Sequence, residues 1–191
     1  MGIEFELKYR ATPEALAAVS RSVTGETRHY AMRTSYYDTP DRALSRRHCT
    51  LRRRMENETS VCTLKMPADN QSRAEFEVEC DSIEKAIPEL CKLSGFRELE
   101  QLPAGLVEVC GARFDRVAIT LCLPDCTVEL ALDQGVLLGG GREVPLCELE
   151  VELKSGSRQG AEAYARALAL RFGLTPETKS KFRRASLLAG G

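Results

Sequence analysis

Several residue types and motifs are scarce or absent in this chain of 191 residues, and each shortage excludes a class of protein. There is no tryptophan, no Cys-x-x-Cys pair and only two histidines, His29 and His48, so we expect neither a thiolate zinc site nor a catalytic histidine. No Gly-x-x-x-x-Gly-Lys-Ser/Thr sequence occurs, which argues against a Walker-type NTPase. The N-terminus lacks the apolar core of a signal peptide, and no apolar run approaches the roughly 18 residues that cross a bilayer. We therefore expect a cytoplasmic protein without a membrane partner.

Neither sign of charge is in excess, because 27 Lys and Arg residues oppose 28 Asp and Glu residues. A general nucleic-acid binder usually carries a strong basic excess, so no specific nucleic-acid partner is expected. The apolar fraction of 43% and the charged fraction of 29% are ordinary for a globular protein, and the length predicts one domain, residues 1–191.

Cysteine, by contrast, is abundant. Most of the cysteines stand on the apolar side of strand-like segments, which predicts small buried side chains in a reducing compartment. The eight are Cys49, Cys62, Cys80, Cys91, Cys110, Cys122, Cys126 and Cys147.

Alternation of apolar and charged residues is the main structural signal, and it predicts strands with one apolar and one charged face. It runs through residues 3–10, 49–54, 61–65, 73–80, 114–122, 127–133 and 147–154, and residues 34–39 are also extended. Helices are predicted near 12–23, 41–47, 82–94 and 159–172, and a final helix is predicted with Thr175 as its cap and Pro176 in its first turn. The pattern indicates an α+β domain with at least seven antiparallel strands.

The charged faces are sorted by sign, strand by strand. An ordinary wet sheet face also carries charges, but it usually mixes the two signs. If helices cover the apolar faces and the sheet closes, the charged faces line an interior. Basic rows stabilise phosphate chains, and carboxylates without Cys or His partners favour Mg²⁺ or Mn²⁺. The basic set is Arg52, Arg54, Lys65 and Arg116; the acidic set is Glu75, Glu77, Glu79, Glu148, Glu150 and Glu152.

These segments also match, in order, the motifs of one known family. Glu4-Phe5-Glu6-Leu7-Lys8 resembles the ExExK motif of the CYTH domains, the triphosphate tunnel metalloenzymes, and the resemblance extends to Arg184. It is closest to the bacterial inorganic triphosphatases, whose members often carry a CHAD domain that we do not expect within these 191 residues. The further matches are Tyr36 to Pro40 with YFDTP, Leu51 to Arg54 with LRxR, Thr63 to Lys65 with TxK, Arg73 to Glu77 with RxExE, Phe114 to Arg116 with FxR, Leu132 to Gly135 with LDxG, Cys147 to Glu150 with xEIE, and Ser180 to Arg184 with SKxxR.

The resemblance implies a closed eight-stranded antiparallel β-barrel, a tunnel with helices packed outside, and a role for each matched residue. Glu4, Glu6, Lys8 and Lys65 would be catalytic. The triphosphate, or another polyphosphate, would be bound by Lys8, Arg52, Arg54, Lys65, Arg116, Lys181 and Arg184, with Glu75 and Glu77 in support. Divalent metal, Mg²⁺ or Mn²⁺, would be held by Glu4, Glu6, Asp133, Glu148, Glu150 and Glu152, where Glu152 extends the usual pair of glutamates.

The implied activity is hydrolysis of inorganic triphosphate to pyrophosphate and phosphate. A CYTH-type adenylyl cyclase, a thiamine triphosphatase and a non-catalytic polyphosphate binder remain open alternatives. The sequence leaves the oligomeric state open between monomer and homodimer.

Overall fold

The fold is known from a computed structural model that describes residues 2–3, 5–68, 73–102 and 105–190. The described residues form one antiparallel sheet and five α-helices, which confirms the α+β class. The strands are β1 Gly2–Ile3, β2 Glu6–Arg10, β3 Glu26–Asp38, β4 Thr50–Glu56, β5 Thr59–Pro67, β6 Arg73–Glu79, β7 Val107–Cys122, β8 Cys126–Gly139, β9 Arg142–Gly156 and β10 Thr175–Pro176. The helices are α1 Pro13–Ser22, α2 Ala43–Arg46, α3 Ile83–Ser94, α4 Arg158–Phe172 and α5 Lys181–Leu188.

Local signals explain where most helices begin and end. Thr12 caps α1, since its side chain accepts a hydrogen bond from the Ala15 amide, and Ser82 caps α3 in the same way. Gly95 and Gly173 adopt positive φ angles of 72° and 64° directly after α3 and α4, where a left-handed residue ends a helix. Among the described residues, no helix has both the length and the apolar character to span a membrane.

The sheet places its strands in the order β1-β6-β5-β4-β3-β7-β8-β9-β2-β10. No pairing between described residues joins the two ends of this order, so the predicted closed barrel is not confirmed. The strands β1 and β2 nevertheless follow one another closely in sequence, while they pair with β6 and β9 near opposite ends of the sheet. Side chains of β6 and β9 also line the same cavity, so the sheet curves strongly around its charged face.

Apolar side chains on the other face pack under helices, as the alternation predicts. Helices α1 and α4 cover a cluster that includes Val128, Leu130 and Leu149, while α3 covers a second cluster that includes Leu51 and Leu64. These clusters fix the direction of the alternating strands, because a shift of one residue would turn every charged side chain into the core.

The last helix departs from the prediction in two ways. It begins at Lys181 with Ser180 as its cap, whereas Thr175 and Pro176 form β10 and pair with Arg10 and Tyr9. The cap is Ser180, whose side chain accepts a hydrogen bond from the Arg183 amide, and not the Thr175 that the sequence suggested. The second difference is position: α5 does not pack outside the sheet, because its residues contact Tyr36 and Phe114, which alternate in phase with the charged residues.

Candidate active site

A cavity of ≈ 220 Å³ lies on the concave, charged face of the sheet. Its walls come from β3, β4, β6, β7, β8 and β9, so distant parts of the chain meet there. Almost every lining residue is polar or charged, which excludes a site for a purely apolar ligand. The lining residues are Tyr30, Met32, Arg52, Arg54, Glu56, Glu75, Glu77, Arg116, Ala118, Glu129, Glu152 and Lys154.

A compact group of three carboxylates stands on the same face. Asp133, Glu148 and Glu150 each place an oxygen within 4.8 Å of the others. The register produces this cluster, because Asp133 lies directly opposite Glu148 across β8 and β9, and Glu150 lies two residues further along the same face. Asp133 and Glu148 are fully buried, so the cluster holds its charge away from water.

Three cations contact this carboxylate cluster directly, and two of them, Arg116 and Lys181, each bind more than one of its carboxylates. Arg116 places its Nε 2.7 Å from Asp133 Oδ1 and one terminal nitrogen 2.8 Å from Glu150 Oε2. The Lys181 ammonium lies 2.7 Å from Asp133 Oδ2 and 2.9 Å from Glu150 Oε1, and it also contacts Glu148. Lys181 reaches this point because α5 packs on the charged face and begins with this residue.

The ion pairs set the protonation of the cluster. Burial alone would raise the pKa of Glu150, but Lys181 and Arg116 beside it hold that pKa well below its usual value. Burial opposes the charge of Lys181 as well, yet Glu150, Asp133 and Glu148 raise its pKa above the usual value. The pKa of Glu148 is raised, first by burial and then by the negative charge of Glu150. Glu150 and Lys181 are therefore charged together.

Arg184, one helical turn after Lys181, extends the network away from the cluster. It contacts Glu148 and lies 3.9 Å from Glu177, which is itself buried. Glu177 accepts a hydrogen bond of 2.7 Å from Arg10 Nε and one of 2.9 Å from the Lys179 amide. The sequence analysis did not single out Glu177, since it sits in the segment that was predicted as helix.

The opposite wall carries the basic side chains of β4 and β5, and these side chains form ion pairs with glutamates of β6. Arg52 lies 3.0 Å and Lys65 3.1 Å from the two oxygens of Glu75, so one carboxylate holds both cations. Glu77 accepts a hydrogen bond of 3.1 Å from Thr63 Oγ1 and lies 3.8 Å from Arg52. The pKa of Arg54 is lowered by burial and then by the neighbouring charges of Arg52 and Arg116.

Three further predicted site residues, Glu6, Lys8 and Glu152, lie near the cluster but outside it. Lys8 and Glu6 of β2 form an ion pair of 2.8 Å, and the pairing of β2 with β9 puts Lys8 opposite Glu150. Glu152 lines the cavity and pairs with Lys154 at 2.9 Å, apart from the three clustered carboxylates. Glu4 lies outside the described residues.

Several other residues line the cavity although they were not predicted as site residues: Tyr30, Met32, Glu56, Ala118, Glu129 and Lys154. A signal for most of them was present, because each continues a period of two from a predicted inward residue on its own strand, as Glu56 does from Arg54. Arg113, in contrast, is exposed and pairs with Glu143, which leaves Arg116 as the inward arginine of β7.

The charge balance of this face bears on which ligands it can hold. Among the described residues, the cavity lining has five carboxylates (Glu56, Glu75, Glu77, Glu129 and Glu152) against four cations (Arg52, Arg54, Arg116 and Lys154). A polyanion brought into such a lining finds no net positive charge unless further cations come with it. The clustered oxygen donors of Asp133, Glu148 and Glu150 fit a hard divalent cation, and Glu148 Oε1 is paired at present with the Lys181 ammonium.

In the comparison with protein families, residues 2–186 match the model described as the CYTH domain. The chain belongs to the CYTH domain family. It is 29% identical over 194 residues to a protein of Haemophilus influenzae named inorganic triphosphatase, with 97% of this chain and 54% of that protein aligned. The chain thus spans about half the length of this curated relative.

Solved structures share the fold at lower identity. A putative adenylate cyclase of Bacillus halodurans aligns with a TM-score of 0.65 and 19% identity, over 95% of this chain and 96% of that one. A putative adenylyl cyclase of Hippeastrum, described as having a dominant triphosphatase activity, also aligns with a TM-score of 0.65, at 17% identity, over 96% of this chain and 94% of that one. At these identities, the two structures establish the fold of the CYTH domain here and nothing about its substrate.

Proposed function

We propose that this protein hydrolyses inorganic triphosphate to pyrophosphate and phosphate, with Mg²⁺ or Mn²⁺, inside a β-tunnel that the curved sheet encloses. The observation that carries the proposal is one concave face where three clustered carboxylates lie among rows of arginine and lysine. Membership of the CYTH family and the 29% identity to a relative named inorganic triphosphatase support it.

The basic residues would bind the phosphate chain. Arg52, Arg54 and Lys65 stand on one wall and Lys8, Arg116, Lys181 and Arg184 on the other, so a short phosphate chain between them would meet cations on both sides. Glu75 would orient Arg52 and Lys65 through the two ion pairs that it makes with them, and Glu77 would support Arg52 and Thr63.

Asp133, Glu148 and Glu150 would hold the divalent cation, together with Glu4 and Glu6 from the N-terminal segment and with Glu152 as a more distant candidate. A cation in this position would neutralise phosphate charge and make the attacking water more acidic. The protein would supply the rest. Its arginines and lysines would align the chain, so that water attacks the terminal phosphorus while the bond to the bridging oxygen breaks and pyrophosphate leaves with that oxygen.

Two residues in the cavity wall favour a second candidate function. Tyr30 and Met32 give the otherwise polar lining an aromatic and apolar part. A triphosphate ester with an organic group, such as ATP or thiamine triphosphate, could place that group there, which would favour a cyclase or an organic triphosphatase. Met32 is already buried in an apolar cluster, however, which limits the surface that it offers.

Phosphate release from a substrate panel tests both candidates. Inorganic triphosphate, ATP, thiamine triphosphate and long-chain polyphosphate would each be assayed with Mg²⁺, with Mn²⁺ and with EDTA, and ATP reactions would also be analysed for cyclic AMP. We expect the highest kcat/KM for triphosphate, and no turnover in EDTA. An equal or higher kcat/KM for ATP, or formation of cyclic AMP, would reject the proposal, and binding without turnover would favour a polyphosphate-binding module.

A further inference from the structure

We infer that the Lys181 ammonium is a built-in counter-ion that occupies the divalent-cation position, so that a metal ion must displace it to bind. The inference rests on the proposed function only in taking the Asp133, Glu148 and Glu150 cluster as a metal site. It concerns the regulation of that site and not its substrate.

The geometry of Lys181 is that of a bound cation. Its ammonium contacts all three carboxylates of the cluster, at 2.7 Å from Asp133 and 2.9 Å from Glu150, and it also touches Glu148. The three carboxylate oxygens lie within 4.8 Å of one another, which leaves one central position for a positive ion. The ammonium and a divalent cation therefore compete for the same oxygens.

The surroundings make this competition costly for the metal. The Lys181 side chain is 10% exposed, and Asp133 and Glu148 are fully buried, so the ion pairs are screened little by water. Arg116 also pairs with Asp133 and Glu150, and Arg184 pairs with Glu148, which further reduces the charge available to a metal. A carboxylate cluster without Lys181 would be a stronger cation site.

The position of Lys181 at the start of α5 would let the displaced ammonium move from the carboxylates to the phosphate chain. Lys181 is the first residue of α5, which packs on the charged face, and its flexible side chain binds Glu150, which also pairs with Arg116 of the cavity wall. A metal that displaces the ammonium from the carboxylates would free it to bind phosphate. Metal binding and phosphate binding would then be coupled through one side chain.

The test is the affinity of the substrate-free protein for Mn²⁺, measured by electron paramagnetic resonance and by calorimetry. Lys181→Met should bind Mn²⁺ about tenfold or more tightly than the wild type, because the competing charge is gone. Lys154→Met is the control, since it removes a positive charge from the cavity wall at a residue that pairs with Glu152 and not with Asp133, Glu148 or Glu150. It should change the affinity much less. Asp133→Asn should weaken binding.

Each outcome has a definite meaning. Equal or weaker Mn²⁺ binding by Lys181→Met, an equal gain in Lys154→Met, or no Mn²⁺ binding by any variant would overturn the inference. If Lys181→Met does not fold because three carboxylates are left unneutralised, Lys181→Gln keeps a hydrogen-bond donor and gives the same comparison. Because no substrate is present, tighter binding by the variant would stand even if the wild type failed to hydrolyse triphosphate, and the two proposals can fail separately.

Discussion

At the scale of single residues, burial decides how the abundant cysteines behave. All eight are free, and five are fully buried. Burial raises the pKa of Cys62 to about 11 and that of Cys110 to about 12, so these thiols stay protonated at neutral pH. This agrees with the prediction that they serve as small apolar side chains.

Cys122 is the exposed exception, and it gives a direct test. With Ellman's reagent, Cys122 should be the fastest-reacting thiol of the native protein, and Cys122→Ser should remove that fast phase. The half-buried Cys80 and Cys147 should react more slowly, and the five buried thiols slowest of all. The remaining thiols should react quickly only in denaturant, and hydrolytic activity should survive the substitution. Several fast thiols in the native protein would contradict the described packing.

Neighbouring residues on β2 should respond in opposite ways to substitution. Glu6 faces the charged side and pairs with Lys8, so Glu6→Gln should lower kcat roughly 10- to 100-fold while the melting temperature stays within a few degrees of the wild type. Leu7 packs against the apolar cluster under α1 and α4. Leu7→Asp should lower the free energy of unfolding by about 2 kcal/mol, since it places a carboxylate there.

Circular dichroism melts and urea titrations of the two variants measure these effects, and the activity assay separates them. A Glu6→Gln protein that unfolds, or that keeps near-normal turnover, would show that the assignment of the two faces of β2 is wrong.

At the scale of elements, the sequence predicted the positions of those strands and helices that depend on local periodicity. The alternating segments at 61–65 and 147–154 lie within strands, the segment at 73–80 runs one residue past the end of β6, and the predicted helices at 82–94 and 159–172 correspond to α3 and α4. The strands themselves are longer than predicted, because tertiary pairing extends β3 back to Glu26 and β7 back to Val107 through residues with weaker alternation.

Local periodicity and capping signals did not predict the residue at which α5 begins. Thr175 with Pro176 is a good local start signal, but pairing with Arg10 and Tyr9 holds both residues in β10 instead. Placement of α5 on the charged face depends on contacts with Tyr36 and Phe114, which lie far away in sequence. For the same reason, the sequence indicated Lys181 as a phosphate ligand but gave no indication of its contact with the carboxylates.

The segment between β10 and α5 should depend on Glu177. Burial would raise the pKa of Glu177, but hydrogen bonds from Arg10 and the Lys179 amide lower it below its usual 4.5. Its charge therefore stabilises the fold above pH 4.5, and this contribution is lost as the pH falls further. At pH 7, Glu177→Gln should lower the free energy of unfolding by about 1–3 kcal/mol, because Arg10 and Arg184 lose a buried partner.

Urea denaturation at pH 7 and at a pH well below 4.5 tests this, and the difference between variant and wild type should shrink in acid. Glu143→Gln is the matched control, since it breaks an exposed ion pair with Arg113 and should cost about 0.5 kcal/mol or less. A Glu177→Gln effect as small as that of the control, or one that does not change with pH, would mean that Glu177 does not hold this segment in place.

At the scale of the whole molecule, the chain places its apolar faces under α1, α3 and α4 and gathers most of its patterned charge on one curved face. That arrangement costs stability, since ions removed from water must be paired with one another. The pairs described here meet that need almost completely: Lys181 and Arg116 with the carboxylate cluster, and Arg52 and Lys65 with Glu75. A cavity lining without net positive charge can accept a polyanion only together with cations.

This charge balance predicts that a divalent metal is needed to bind substrate and not only to cleave it. A non-hydrolysable triphosphate analogue, imidotriphosphate, should bind about 100-fold more weakly in EDTA than in Mg²⁺, because the cavity carboxylates would otherwise repel it. Calorimetry measures both affinities. Sodium chloride should weaken the Mg²⁺-supported binding only moderately, since the ion pairs on the cavity walls are largely buried and poorly screened. Equal affinity in EDTA and in Mg²⁺ would show instead that the arginines and lysines leave their carboxylate partners for the phosphates without help, and that metal acts in the chemical step alone.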